Sequence, residues 1–157
     1  MNAAALPAQN GLPPGTRLAE FEVQEVLGAG GFGVVYRAYD HSLHRTVAIK
    51  EYMPRGLAGR AGQAVVQGGT ADAAVFDAGL RAFMAEARTL ARFDHPSLVK
   101  VFRVWEGNRT AYMAMPFYEG LTLKAACAQM RQPPPEAWLR RLLWPLLQAL
   151  ELLHRQS

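Results

Sequence analysis

The sequence has 157 residues, 50% of them hydrophobic, and a formal net charge of +4. A chain of this size can bury the core of one small domain. Its single cysteine, Cys127, excludes an intrachain disulfide and suits a reducing, cytoplasmic setting. The arginines are scattered and accompany no recognition motif, so the charge does not indicate nucleic acid as a partner.

The beginning of the chain, residues 1–18, is expected to be a flexible leader. It is rich in residues that disfavour regular structure: Pro7, Pro13, Pro14 and Gly15. It has neither the positive start nor the apolar core of a signal peptide. No uninterrupted apolar run approaches the roughly 20 residues needed to span a bilayer. The nearest candidate, residues 139–153, is interpreted as a buried helix because it is interrupted by Arg140, Arg141, Pro145 and Glu151.

Three glycines follow the first extended segment. Residues 21–26 alternate apolar and polar side chains, which predicts a half-buried strand. Gly28, Gly30 and Gly33 come next at G-x-G-x-x-G spacing, and glycine backbone can approach a phosphate closely because it has no Cβ. Residues 34–39 are β-branched and aromatic, so a second strand is predicted directly after the glycines.

A third strand is predicted at residues 46–52, ahead of Pro54, and it carries Lys50 at the end of a V-A-I-K run. The alternative is a dinucleotide-binding Rossmann unit, where a helix opens behind the glycines and a later acid, here Glu51, contacts ribose. The strand-like residues after Gly33 disfavour that alternative. The chain has no G-K-[ST] sequence, which excludes a P-loop NTPase.

These motifs resemble the eukaryotic-like serine/threonine protein kinases of bacteria. In that family the glycine-rich loop is followed by a valine, here Val35, and then by the V-A-I-K lysine, here Lys50. The run from Lys50 to Pro54 is similar to the K-E-Y-x-P stretch of a subgroup of bacterial kinases. The resemblance extends from Phe21 to the last residue.

The Gly- and Ala-rich residues 55–74 are interpreted as a long loop or poorly ordered insertion, with a short hairpin through residues 63–67 as the alternative. An amphipathic helix is predicted at residues 73–93. Its apolar stripe consists of Phe76, Leu80, Phe83, Met84, Ala87, Leu90 and Ala91. Glu86 lies at the edge of that stripe, away from the arginines of the solvent side, so its carboxylate is expected to point inward.

Two more strands are predicted at residues 98–105 and 110–115. Thr122 caps a short helix that ends at Met130, and the last helix, residues 136–154, is kinked at Pro145. The resemblance therefore implies an α+β fold: a kinase N-lobe at residues 19–118, with a five-stranded antiparallel sheet and one regulatory helix. The first helices of a truncated C-lobe follow at residues 119–157.

The resemblance also implies an ATP site. Lys50 would contact the α- and β-phosphates and pair with Glu86, and these two residues are the catalytic candidates. Met115 would guard the back pocket, while the carbonyl of Pro116 and the N–H of Tyr118 would meet adenine. Pro116 departs from the family, which commonly has glutamate there. The complete set of nucleotide-binding candidates is Leu27, Gly28, Ala29, Gly30, Gly31, Phe32, Gly33, Val34, Val35, Ala48, Lys50, Met115, Pro116 and Tyr118.

The sequence contains no H-R-D and no D-F-G triplet, which kinases use to accept the hydroxyl proton and to hold Mg²⁺. The four histidines show no metal-binding spacing. We therefore expect a truncated kinase whose Mg²⁺ ligands lie beyond Ser157 and which is inactive alone. Its parent would transfer the γ-phosphate of ATP to Ser or Thr of an unidentified protein. The alternatives are a pseudokinase and a nucleotide-binding interaction module that associates through an exposed face of the last helix.

Overall fold

The computed structural model describes residues 10–155, except for the side chains of Thr70 and Ala71. Eight strands and three helices are present in this part of the chain. In chain order they are β1 (Arg17–Leu18), β2 (Phe21–Ala29), β3 (Gly33–Asp40), β4 (Arg45–Tyr52), β5 (Ala58–Ala61), β6 (Ala64–Gln67), α1 (Thr70–Leu90), β7 (Arg103–Gly107), β8 (Thr110–Pro116), α2 (Leu123–Gln129) and α3 (Glu136–Arg155).

Six strands form one antiparallel sheet in the order β1-β2-β3-β4-β8-β7. The five predicted strands are all present, and the short β1 adds a sixth at the edge beside β2. Strand β7 begins at Arg103 and not at residue 98, because a turn with a bond from Leu98 N to His95 O occupies the start of the predicted segment. An antiparallel strand follows the glycines, so the Rossmann alternative is wrong.

The sheet curls until its two edges meet. Glu20, at the turn between β1 and β2, forms an ion pair with Arg103 of β7. Beside this pair the ring of Phe21 stacks on Trp105 with centroids 5.3 Å apart, and Trp105 stacks on Tyr112 at 5.2 Å. The core fills the inside of the curl with buried side chains that include Leu12, Val23, Tyr36, Val47, Ile49 and Tyr112.

The described part of the expected leader, residues 10–18, packs on this core. Leu12 and Leu18 are buried, and the Gly15 amide donates a hydrogen bond of 2.8 Å to the carbonyl of Val23. The expectation of a flexible segment therefore does not hold for residues 10–18. Apolar side chains at positions 12 and 18 explain the difference, since they cover the sheet. Residues 1–9 lie outside the described residues.

Strands β5 and β6 form a separate two-stranded hairpin within the Gly- and Ala-rich segment. Val65 is buried, and its amide donates a hydrogen bond of 2.8 Å to the carbonyl of Asn108 in the turn between β7 and β8. A hairpin is therefore present, as the alternative interpretation predicts, but it begins at Ala58 and not at residue 63. The interpretation of residues 55–74 as a long loop or poorly ordered insertion is wrong. One buried valine and strand pairing hold the segment against the sheet.

Helix α1 packs against β6, β7 and β8, and it begins and ends three residues earlier than predicted. Most of its predicted stripe faces the core, with Phe76, Phe83, Met84 and Ala87 buried, whereas Ala91 lies beyond the helix and is exposed. Tyr52 of β4 lies in a notch at Gly79, where an added Cβ would come within 2.1 Å of the Tyr52 hydroxyl. That hydroxyl donates a hydrogen bond of 3.2 Å to the carbonyl of Phe76. Gly79 thus lets the helix approach β4 closely.

The two last helices follow β8. The hydroxyl of Thr122 accepts a hydrogen bond of 3.1 Å from the amide of Ala125, which confirms the predicted cap of α2. Ala149 is the buried residue of α3, so the prediction of a buried helix is wrong for the described chain. Its exposed apolar face consists of Leu139, Leu142, Leu143, Trp144, Leu146, Leu147 and Leu150. None of the helices described between residues 10 and 155 is long and apolar enough to cross a membrane.

The notch at Gly79 predicts a coupled mutational effect. Alanine at this position gains about 1 kcal/mol of helix propensity but overpacks the Tyr52 ring, which costs about 1–3 kcal/mol. We expect Gly79→Ala to destabilise the protein, and to do so less in a Tyr52→Phe background, where the nearest atom is removed. A double-mutant cycle of urea unfolding measures this coupling, and equal costs in the two backgrounds would contradict the close packing.

Candidate functional site

Four of the sheet's strands bring Gly28, Val35, Lys50 and Met113 into one row. Gly28 lies opposite Val35, Val35 opposite Lys50, and Lys50 opposite Met113 in the antiparallel register. Side chains alternate between the two faces of a strand, so aligned residues share a face. Two of the predicted nucleotide-binding regions, the glycine loop and the V-A-I-K lysine, are therefore neighbours on one face.

A second row lies two residues further along each strand on the same face. Ala48 is opposite Arg37 on β3 and opposite Met115 on β8. Ala48, expected in the apolar roof of the adenine pocket, and Met115, expected to guard its back, therefore lie next to the row that contains Lys50. The side chain of Ala48 is a single methyl group, so it leaves space over this face of the sheet. Met115 is half-buried near the end of β8.

Lys50 and Glu86 face each other across the contact between β4 and α1. Lys50 Nζ is 3.6 Å from Glu86 Oε1 and 5.4 Å from the centre of the Phe83 ring. The lysine side chain is 28% exposed and the glutamate side chain is 56% exposed, so both remain accessible to solvent. Glu86 therefore points toward β4, on the flank that the helical stripe indicates.

The glycine loop contains glycines of two kinds. Gly33 has φ +156° and is so close to β4 that an added Cβ would come within 1.9 Å of the Glu51 carbonyl oxygen. Gly28, Gly30 and Gly31 have no atom within 4 Å of the place where a Cβ would be. The fold itself thus requires glycine at position 33, whereas the first glycines border open space.

Hydrogen bonds hold the tip of this loop down on the segment after β4. The amide of Gly30 donates to the carbonyl of Gly33 at 2.8 Å, which closes the turn. The amide of Met53 donates to the Phe32 carbonyl at 3.3 Å, and the amide of Arg55 donates to the Gly31 carbonyl at 3.0 Å. The loop therefore has a defined position, although the Phe32 ring at its tip is 79% exposed.

The remaining candidates occupy the rim of this face or the opposite face. Leu27 and Ala29 are exposed near the end of β2. Pro116 pairs with Val47 at the end of β8, and Tyr118 is exposed just beyond it. Val34 differs from the others because its side chain is buried in the core, on the face opposite Val35. A contact from Val34 to a ligand on the Lys50 face is therefore limited to its backbone.

A buried polar cluster on that opposite face was not found from the sequence. The carboxylate of Glu51 is fully buried and pairs with the guanidinium of Arg60, which is almost fully buried on β5. The Tyr36 hydroxyl donates to Glu51 Oε2 at 2.5 Å, and the Tyr112 hydroxyl donates to Oε1 at 3.1 Å. Glu51 follows Val47 and Ile49 at alternate positions of β4 and so falls on the apolar face of that strand. That position is the signal that could have revealed the cluster, since a buried charge needs a partner.

The tyrosines of this cluster remain hydrogen-bond donors. Burial, followed by the negative charge of Glu51, raises the pKa of both Tyr36 and Tyr112 far above its usual value of 10.0. Both phenols therefore stay protonated at any ordinary pH. Removing one member of a buried ion pair leaves the other charge uncompensated, which costs about 3–5 kcal/mol. Arg60 and Glu51 thus depend on each other.

No metal centre is formed by the part of the chain that the structure describes. Between residues 10 and 155, no group of three or more histidine, cysteine, aspartate or glutamate side chains could hold a metal ion. His95 accepts a hydrogen bond of 3.1 Å at Nδ1 from the Ser97 amide, and so stabilises the turn after α1.

Comparison with known proteins agrees with this geometry. Residues 21–157 match the family described as "Protein kinase domain". The chain belongs to the protein kinase family. The solved structure "PpkA-294 apo form" is similar to it, with 53% sequence identity and a TM-score of 0.88 over 94% of this chain and 53% of that one.

Other relatives are bacterial and eukaryotic kinases. The serine/threonine-protein kinase PknD of Chlamydia pneumoniae is 31% identical over 68% of this chain. The eukaryotic translation initiation factor 2-alpha kinase pek-1 of Caenorhabditis elegans is 36% identical over 55% of it. This kinase chain spans 10% of the length of PknD and 6% of that of pek-1. The Mycobacterium tuberculosis PknI kinase domain, at 20% identity and a TM-score of 0.70 over 94% of this chain and 52% of its own, shares the fold.

The two kinds of glycine predict different costs for the same substitution. Gly33→Ala places a methyl group against backbone and should destabilise the kinase chain by about 2 kcal/mol or more. Gly30→Ala meets open space and should change the free energy of unfolding by less than about 0.5 kcal/mol. Chemical denaturation of both variants measures the difference. Equal effects would show that the loop does not lie on β4 as described.

Proposed function

We propose that this chain is the ATP-binding part of a serine/threonine protein kinase. The row of Gly28, Val35 and Lys50, with Glu86 only 3.6 Å from the lysine, carries the proposal. A triphosphate needs backbone that can approach it closely and a cation that can neutralise it. The first glycines border open space that nothing in the described chain occupies, and Lys50 projects on the same face.

Lys50 would hold the α- and β-phosphates as a point charge on a central strand, which moves little. Glu86 would hold the lysine in position when no nucleotide is bound. An acceptor at 3.6 Å is close enough to orient the ammonium group, and the contact is loose enough that the ammonium group can also bind phosphate oxygens. Phosphoryl transfer depends mainly on positioning and charge stabilisation. These two side chains would therefore orient the phosphate donor, and they break no bond themselves.

The adenine would lie where the two rows adjoin. Val35 of the first row and Ala48 of the second offer an apolar surface, with Leu27 at its edge and Met115 at its back. Beyond Met115 the chain leaves the sheet through Pro116 and Tyr118, and backbone groups there would meet the polar edge of the base. The proline carbonyl can accept from the adenine amino group, so the departure from glutamate at position 116 does not remove this contact.

Magnesium is the part of the family's chemistry that these residues do not supply. The described residues form no carboxylate cluster for it, and the sequence has no D-F-G triplet. We propose that a longer parent protein supplies the Mg²⁺ ligands and the H-R-D aspartate, and phosphorylates Ser or Thr of a protein substrate in the cytoplasm. A pseudokinase parent is the alternative.

Nucleotide titration tests the site. Lys50→Met removes one charge-assisted phosphate contact, so we expect ATP affinity to fall about tenfold while adenosine affinity is unchanged. Gly30→Ala should also weaken ATP binding, because its methyl group enters the space that the phosphates would use. A fluorescent ATP analogue, displaced by unlabelled ATP or adenosine, gives both affinities.

Lys100→Met is the matched control, since this lysine lies outside the two rows and pairs with Asp94 at the surface at 3.3 Å. It should bind ATP as the unmodified chain does. If Lys50→Met and Lys100→Met bound ATP equally well, Lys50 would have no part in the site.

Transfer activity is predicted to need more than this sequence contains. Positioning the donor cannot replace an aspartate that accepts the hydroxyl proton and a carboxylate that holds the metal. We expect the 157-residue chain, incubated with radiolabelled ATP, Mg²⁺ and a generic protein substrate, to incorporate no label. Incorporation that disappears in Lys50→Met would contradict this. A longer parent that binds ATP without transferring phosphate would favour the pseudokinase.

A further inference from the structure

We infer that Arg60, on the hairpin of β5 and β6, is a positioning residue for the glycine-rich loop. The inference rests on the proposed function, because it assigns the residue to the phosphate side of that site. Arg60 lies on the face of the sheet opposite Lys50 and does not border the two rows. It acts through β4 and the segment that follows it.

Arg60 contacts the end of β4 and the residue that follows it. Its Nη2 atom pairs with the buried Glu51 carboxylate, and also lies 3.2 Å from the Tyr36 hydroxyl and 3.5 Å from Met53 Sδ. One guanidinium therefore fixes two positions, 51 and 53, of the same short stretch of chain. Between them, Tyr52 is held from the other side by α1.

The end of β4 and the residues after it contact the glycine-rich loop. The Glu51 carbonyl lies directly beneath Gly33, where no side chain would fit. The amides of Met53 and Arg55 then donate to the carbonyls of Phe32 and Gly31 at 3.3 and 3.0 Å. The loop tip thus has backbone contacts to residues whose position depends on Arg60.

Arg60 is itself held in place by two backbone carbonyls. Its Nε donates to the Asn10 carbonyl at 2.6 Å, and its Nη1 donates to the Gln63 carbonyl at 3.0 Å within the hairpin. The hairpin is bound in turn to the turn between β7 and β8 by the bond from Val65 to Asn108. The guanidinium is therefore fixed by the leader segment and the hairpin, and it transmits that fixed position to the loop.

A purely structural role of the Arg60–Glu51 ion pair would give different results from a positioning role of Arg60. Loss of overall stability would reduce the folded fraction and weaken the binding of every ligand alike. Loss of loop position would weaken ligands that carry phosphates and spare adenosine. It would also expose the Met53 and Arg55 amides to exchange more than amides in the centre of the sheet.

The experiment uses the full 157-residue chain with Arg60→Met and with the double variant Arg60→Met/Glu51→Gln. The double variant removes both charges, and the new amide can accept from one phenol with its oxygen and donate to the other with its NH2 group. It leaves no buried charge uncompensated, so it serves as the test if the single variant does not fold. Hydrogen exchange is followed at Met53 and Arg55, with Ile49 and Ala114 as reference amides in the sheet. ATP and adenosine affinities are measured by displacement.

We expect protection at Met53 and Arg55 to fall about tenfold relative to the reference amides in both variants. We also expect ATP affinity to fall about fivefold while adenosine affinity stays the same. Protection that falls equally at all four amides, or not at all, would overturn the inference, as would equal losses for ATP and adenosine. If the unmodified chain bound neither ligand, the proposed function would fail, and exchange alone would decide the role of Arg60.

Discussion

The buried carboxylate of Glu51 is the constraint around which the sheet is organised. A charge inside a curled sheet is costly to desolvate, and here it is offset by a guanidinium and two phenol donors. Those partners come from β3, from β8 and from the hairpin of β5 and β6. The hydrogen bonds and the ion pair of this one carboxylate therefore fix β3, β4 and β8 relative to each other. They also attach the hairpin of β5 and β6 to the sheet.

Strand β4 links the Glu51 cluster to the Lys50–Glu86 pair, because its two faces contact different partners. Glu51 points into the curl, while its neighbours Lys50 and Tyr52 point toward α1. Tyr52 fits the notch at Gly79 and so sets how closely α1 approaches β4. At that approach Lys50 Nζ lies 3.6 Å from Glu86 Oε1. The separation of the ion pair is thus determined by the packing of Tyr52, two residues from Lys50, more than by the attraction between two partly exposed charges.

Much of this arrangement could be predicted from the sequence, for reasons that differ by element. The glycine spacing, the β-branched runs around it and the stripe from Phe76 to Ala87 are local signals of period two or 3.6. The hairpin was only an alternative, since residues 55–74 are mostly small and show little alternation. The pairing of Glu51 with Arg60, the burial of Leu12 and the meeting of Phe21 with Trp105 depend on the curl of the sheet. No pattern along the chain encodes that curl directly.

The two kinds of glycine in the loop have a consequence for reading related sequences. Position 33 is constrained by the protein's own backbone, whereas nothing in the described chain constrains positions 28 and 30. A kinase-like chain that no longer met a nucleotide would still need the last glycine, while the first two would be free to acquire side chains. The first two glycines are therefore the more informative marker of whether a loop of this shape still receives phosphates.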